Sequence, residues 1–364
     1  MTALAGSIER LLVMAPNWLG DAVMSLPALG DLRRSLAGVR LIVAARPAVA
    51  SLFALAPAVD EVVTLEWRGR PAGVLARRRD VARLRALAAD AALLLPNSFA
   101  SAWLVRRAGV TQRWGYRTDL RGALLSRAIA RPGRSVHQAD YYRHLIQKVG
   151  VQMIGLQAAD VVPGNVPPLL RVPDAAVGDA RGRLRALGWD GARPVVVMAP
   201  GAAYGGAKRW PPAHFARLAG RVIEERGVSC VLVGTRDDAA TTAWVRALVP
   251  EAARAHVLDL AGATTLGELA AVLRLARACV SNDSGAMHLA GALGVPLAAI
   301  FGPTREHETA PLGPDGLAGE VLVHHVWCRP CMLRECPLDH RCLEGLVPDR
   351  VLARVTALLQ GGAS

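Results

Sequence analysis

Lysine is almost missing from this 364-residue chain: of 43 basic residues only Lys148 and Lys208 are lysines, the rest being arginine. Aromatics are scarce too, at 4%, so any core must be built from Ala, Leu and Val. No charge-free apolar stretch of 18 or more residues occurs, which excludes a spanning helix. The apolar run 11–15, behind Glu9 and Arg10, is too short for a signal-peptide core and has no cleavage site after it. The expectation is a cytoplasmic chain with its six cysteines reduced. A Ser-His-Asp signature, HExxH, an intact GxGxxG and a Walker loop are absent, as are repeats and low-complexity tracts.

What remains is a hydrophobic, basic chain. Hydrophobic residues make up 52%, and at about 100–200 residues per domain the length predicts two domains, each with its own core. A formal charge of +13 and a pI near 10.6 fit anionic partners: nucleic acid, an acidic membrane face or phosphorylated substrates. Genomic base composition accounts for most of the arginine bias. It also singles out each lysine, because a site that needs a compact ammonium cannot accept a planar guanidinium.

Strand and helix signals alternate along the first half. LLVMA (11–15) reads as a buried strand, followed by the turn PNWLGD and a helix over 22–37. RLIVAA (40–45), EVVTL (61–65) and AALLL (91–95) read as further strands, with a basic amphipathic helix over 75–89. The window 162–174, with four prolines and a glycine, reads as a linker. The rhythm then restarts: strands at 194–199, 229–234, 278–281 and 297–301, and helices at 211–226, 266–276, 286–293 and 348–359. Alternation of this kind predicts parallel sheets covered on both faces. The reading is α/β, two Rossmann-like doubly wound domains facing a cleft, an N-terminal one over 1–168 and a C-terminal one over 169–364. Ligands of such sheets bind at the carboxyl ends of strands, and three loops at such ends carry chemistry.

In PNWLGD, Asn17 and Gly20 would let the backbone approach an anion, and Asp21 would stand at the cleft as a carboxylate or serve as a helix N-cap. In PGAAYGGAKRW (200–210), Gly201 and Gly205 with Lys208 and Arg209 form a diphosphate cradle or a solvated surface loop. In SNDSGAMH (281–288), Asp283, Ser284 and Gly285 offer a carboxylate, a hydroxyl and backbone amides, or merely cap a helix, and His288 is a ligand or a core histidine. Thr304 adds a hydroxyl at a neighbouring strand end. Cys328, Cys331, Cys336 and Cys342, spaced C-x2-C-x4-C-x5-C with His324, His325 and His340 close by, read as a structural zinc site or as free or reversibly oxidised thiols. Cys230 and Cys279 sit in apolar strands and read as core. The basic run 77–85 reads as a solvated face, or one facing anionic lipid or nucleic acid.

Taken together, APNWLGDAVMSLPAL (15–29), LLLPNSFASAW (93–103), WGYRTDLRGALLS (114–126), PGAAYGGAKRWPPAHFARLA (200–219) and SNDSGAMHLAGALGVPLAAIFGPT (281–304) resemble the ADP-heptose:lipopolysaccharide heptosyltransferases, an inverting family of GT-B fold. The blocks run in the family's order across nearly the whole chain, and the N-terminal turn is most similar to the branch that adds the second inner-core heptose. The resemblance implies transfer of L-glycero-D-manno-heptose from ADP-heptose to the first heptose of a lipid A–Kdo–heptose acceptor at the inner leaflet. It makes Asp21 the general base and Lys208 a contact to donor phosphate, and gives Asp283, Ser284, Gly285 and His288 the donor's sugar and phosphates. The first domain would bind the acceptor and the second the donor, with the strand end near 234–238 as a wall of the adenosine pocket. No cofactor is needed for this chemistry and no nucleic acid takes part. Family members with another acceptor, and nucleotide-sugar epimerases of the same fold, are the alternatives; a zinc-stabilised nucleic-acid-binding protein leaves both glycine-bearing loops unexplained.

Overall fold

A computed structural model describes residues 8–36, 38–66, 74–133, 135–150, 169–314 and 316–361. The chain divides into two compact units, Met1–Leu170 and Arg171–Ser364. Most of the linker read over 162–174 lies outside the described residues.

The first unit runs β1 (Arg10–Met14), α1 (Leu19–Ser35), β2 (Arg40–Ala45), α2 (Pro47–Ala54), β3 (Glu61–Thr64), α3 (Val74–Ala86), β4 (Ala91–Leu94), α4 (Phe99–Arg107), β5 (Gln112–Tyr116), β6 (Arg127–Ile129) and α5 (Gln138–Val149). Its six strands are parallel in the order β3-β2-β1-β4-β5-β6. Strands β1, β2 and β4 read as continuous apolar runs because helices cover both faces of a parallel sheet; of β1 only Arg10 is exposed. Leu12, Met14, Ile42, Ala92, Leu94, Ala102 and Val105 form one core on one face of that sheet.

The second unit starts with α6 (Asp174–Ala186) and β7 (Val195–Ala199), then α7 (Pro212–Arg226), β8 (Ser229–Leu232), α8 (Ala239–Leu248), α9 (Glu251–Arg254), β9 (Val257–Asp259), α10 (Leu266–Leu275), β10 (Ala276–Asn282), α11 (Gly285–Ala292) and β11 (Leu297–Phe301). A short helix α12 (Glu306–Thr309), the two-residue strands β12 (Leu312–Gly313) and β13 (Gly316–Leu317), β14 (Glu320–Val323), α13 (Arg341–Glu344) and α14 (Pro348–Gly361) follow. Its main sheet is parallel in the order β14-β11-β10-β7-β8-β9. Numbered from its own first strand, this is the same 3-2-1-4-5-6 order as in the first unit, the doubly wound topology whose ligand site lies where the strand order reverses. That point falls between β1 and β4 in one unit and between β7 and β10 in the other.

Long apolar strands and capped helices match the expected positions closely. Helix α10, for instance, starts at a capping box in which Thr265 and Glu268 serve each other's backbone N–H. Elements β5 and β6 went unread: QRWGY opens with two polar residues and β6 has only three. Helix α1 starts three residues before the expected position, and this changes the role of Asp21.

Candidate active site

In the first unit the loop after β1 lies at the reversal point. Trp18 is the N-cap of α1, in extended conformation, so Asp21 is not a cap residue; it sits in the first helical turn. That turn is the positive end of the helix dipole. Asn17 and Trp18 are exposed, and Gly20 and Asp21 are half-buried. Asp21 acts on Tyr142 of α5, whose phenol is pushed well above its ordinary value by burial and then by the charge of Asp21.

The loops after β4 and β5 are bound together by a residue the sequence did not single out. Arg121 is completely buried; its Nε donates to the Tyr116 carbonyl at 2.9 Å and its Nη1 to the Pro96 carbonyl and, at 3.3 Å, to Ser101 Oγ. Burial pushes this guanidinium down to about 10, and it stays charged at neutral pH. Asn97 Nδ2 donates to Tyr141 Oη at 2.8 Å, and Thr118 Oγ1 to the Asn97 carbonyl at 3.0 Å. Arg121 had no motif to announce it, because its partners, two carbonyls and the Ser101 hydroxyl, are spread over 96–116.

In the second unit the two loops flanking the reversal point meet. Lys208, at the end of a short 3-10 turn (Gly206–Lys208), places Nζ 2.5 Å from Asp283 Oδ2. Thr304 Oγ1, beyond β11, donates to the same oxygen at 2.6 Å. Both charged side chains are largely buried, at 12% and 4% exposed. Lys208 Nζ also lies 4.7 Å from the centre of the Tyr204 ring. Beside them Asn282 is fully buried and pins the two loops: its Nδ2 donates to the Pro200 carbonyl at 2.7 Å and its Oδ1 accepts from Trp210 N at 3.1 Å. Ser284 is the N-cap of α11, its hydroxyl 3.1 Å from Ser281 Oγ, and Gly285 opens the helix. His288 is buried within α11.

Arg209 points to the other side of the cradle, its Nη2 3.6 Å from Asp238 Oδ1. Asp238 is held in turn by Thr235, whose backbone N–H and hydroxyl donate to Oδ2 at 2.9 and 2.7 Å. It lies so close to Gly201 that a Cβ there would overlap its carboxylate. This is a physical reason for glycine at 201 that the sequence alone does not supply.

The cysteine segment folds against the same cradle. Tyr204 Oη donates to the Met332 carbonyl at 2.8 Å, Gly206 N to Glu335 Oε1 at 3.0 Å and Ala207 N to the Arg334 carbonyl at 2.9 Å. A Cβ at Gly205 would run into that same Arg334 carbonyl. Arg329 donates to the Thr304 carbonyl and to Glu306, each at 2.9 Å. Cys342 is buried and Cys328, Cys331 and Cys336 are partly exposed. Burial, then the neighbouring Cys328, Cys336 and Cys331, push the Cys342 thiol up, against a lowering by Arg329. The four thiols are thus near one another. Yet among the described residues no three His, Cys, Asp or Glu side chains are placed to hold a metal ion, so this arrangement does not fit the zinc read from the spacing. Cys230 and Cys279 are core residues, and burial alone pushes the Cys279 thiol up to about 12. Among the described residues no helix is long and apolar enough to cross a membrane.

The family model for glycosyltransferase family 9 (heptosyltransferase) matches residues 77–341. Lipopolysaccharide heptosyltransferase 2 of Escherichia coli is 30% identical over 353 residues, covering 96% of this chain and 98% of that protein. Lipooligosaccharide heptosyltransferase 2 of Haemophilus ducreyi is 29% identical, covering 96% and 99%. The solved structure of the E. coli ADP-heptose lps heptosyltransferase II superposes with a TM-score of 0.82 at 29% identity, covering 98% of this chain and all of that one.

Proposed function

The chain belongs to glycosyltransferase family 9, and we propose that it transfers heptose from ADP-heptose to the first heptose of the lipopolysaccharide inner core. It is a glycosyltransferase of GT-B fold. The observation that carries the donor reading is the buried Lys208–Asp283–Thr304 cluster at the strand-order reversal of the second unit.

An ammonium has three N–H donors. In Lys208 one is committed to Asp283, which fixes the side chain and leaves others for a diphosphate oxygen. Asp283 is itself unsuited to face a phosphate; its role is to position Lys208, which refines the donor contact expected of it. Ser284 and Gly285, opening α11, and the glycine-bearing loop 201–206 offer backbone N–H groups to the same anion. Arg209, tethered by Asp238, supplies a second positive charge.

In the transfer step the acceptor hydroxyl attacks the anomeric carbon from the face opposite ADP. A new C–O bond forms as the bond to the diphosphate oxygen breaks. The hydroxyl proton passes to the Asp21 carboxylate, the general base. Negative charge gathers on the departing ADP, where Lys208, Arg209 and the helix N-terminus stabilise it. The acceptor is lipid-linked and presented at the cytoplasmic face of the membrane, which suits a chain of charge +13.

Calorimetry with ADP, UDP and GDP on the wild type and on Lys208→Ala tests the donor reading. Selective ADP binding that weakens in the variant is expected. Preference for UDP, or no nucleotide binding, would leave the fold standing and remove the heptose reading.

A further inference from the structure

Residues 328–336 of the second unit form a strap between two loops that furnish the Lys208–Asp283–Thr304 cluster. On one side the strap holds the loop after β11. Arg329, whose side chain is 6% exposed, donates to the Gly302 and Thr304 carbonyls and to Glu306. Met332 N donates to the Pro303 carbonyl at 3.0 Å. On the other side it holds the loop after β7. The Met332 carbonyl accepts from Tyr204, the Arg334 carbonyl from Ala207 N and the Glu335 carboxylate from Gly206 N. Each of these contacts comes from a residue between Cys328 and Cys336.

The two ends of the strap come back to one place. The charges of Cys328 and Cys336 reach both Arg341 and Cys342, so the two thiols share one neighbourhood. At Cys342 the influence of Cys331 is weaker than theirs. Cys328 and Cys336 are partly exposed, within reach of a small reagent, whereas Cys342 is buried. All are free thiols. A bond between Cys328 and Cys336 would close the strap around every contact it makes to the two loops. Cross-linking the ends of a loop removes its open conformations and leaves the closed one favoured.

We propose that Cys328 and Cys336 are a redox modification site, forming a reversible disulfide that locks the strap onto the loop 204–207 and so firms the setting of Lys208. The oxidant is a low-molecular-weight disulfide. The thiolate of one cysteine attacks it, its S–S bond breaks, and one small thiol leaves. The other cysteine attacks the mixed disulfide at the protein sulfur and expels the second small thiol. The protein gives up two electrons, the small disulfide takes them, and the two cysteine protons end on the two released thiols. In a reducing compartment the dithiol is the resting form, and a disulfide formed there is transient and redox-sensing. The inference goes beyond the transfer reaction and rests on the donor reading only in its last measurement.

The test compares the full-length protein equilibrated with oxidised glutathione and then with dithiothreitol. Mass spectrometry of the alkylated digest should find Cys328 linked to Cys336 in the first state and both alkylated in the second. A bond between another pair, or a glutathione adduct without a protein disulfide, would overturn the proposal. Hydrogen exchange at the Gly206 and Ala207 amides should slow about tenfold on oxidation and recover on reduction. Cys336→Ser should exchange at the reduced rate in both states. Exchange in the wild type that ignores oxidation, or a variant that still slows, would show that the bond does not act on the loop. ADP affinity, read by calorimetry, should rise about threefold on oxidation, because a firmer loop has less order to gain on binding. An affinity that does not rise would sever the strap from the cradle. If no ADP binds in either state while exchange slows as expected, the strap stands and the donor reading falls.

Discussion

The two sheets share one strand order, yet the loops at their reversal points are furnished in opposite ways. In the second unit the charged groups are already interlocked: Lys208 against Asp283, Asp283 against Thr304, Arg209 against Asp238 and Asp238 against Thr235. The cysteine segment braces the loop from behind. In the first unit the loop after β1 leaves Asn17 and Trp18 exposed and Asp21 half-buried in the first turn of α1. The difference follows from the chemistry each would perform. A cradle for a diphosphate gathers positive charge, and a partly buried cation needs a fixed partner before the ligand arrives. A general base needs access to an incoming hydroxyl, and a half-buried place in the first helical turn leaves that access open.

The contrast breaks most sharply at Asp21. Asp21→Asn should lower the transfer rate by about 10²–10⁴-fold, the usual worth of a positioned base, with ADP affinity unchanged; equal loss of ADP binding would move Asp21 out of the acceptor half. At the braced end, Asp283→Ala strands the Lys208 ammonium in a largely buried site. It should cost about 3 kcal/mol of stability, read as a lowered urea midpoint, and a variant as stable as the wild type would show that the pair is not holding the cradle. Lys208→Ala should weaken ADP binding about 10- to 100-fold, as expected for loss of a charge-assisted contact of about 1.5–3 kcal/mol. Calorimetry reads that change, and unchanged affinity would assign the lysine to structure alone.

The smallest effect concerns the brace. Because the Cys342 thiol is pushed up, its thiolate forms only above the ordinary range, and the thiolate is the reactive species. Iodoacetamide at neutral pH should therefore label Cys328, Cys331 and Cys336 before Cys342, with Cys342 gaining as pH rises. Mass spectrometry of the digested protein gives the order, and first labelling of Cys342 would contradict its burial.

Much of this was legible along the chain. Strands such as LLVMA and PVVVMA are apolar throughout because parallel sheets are covered on both faces, and the half-site residues proposed from sequence lie in the loops after such strands or in the first turn of the helix that follows. The rarity of lysine pointed to Lys208 before any contact was known. The start of α1 was misjudged, because Trp18 occupies the cap position without a side-chain cap, so no Ser, Thr, Asp or Asn marked it. Strand β5 was missed because its polar start and internal glycine hide the pattern.

The sequence by itself determined the fold class and the two-part organisation, and it singled out the loops at the strand ends, since these depend on hydrophobic period and turn residues that act locally. The tertiary structure decided which residues share a charge. Asp283 pairs with Lys208, 75 positions away; Arg121 and Asn282 looked ordinary and hold loops together. The segment that carries the four cysteines braces the loop after β7 through Met332, Arg334 and Glu335, none of which the cysteine spacing announces. Hydrogen bonds and ion pairs act over a few ångströms in space, and no local pattern records which distant segment folding brings into that range.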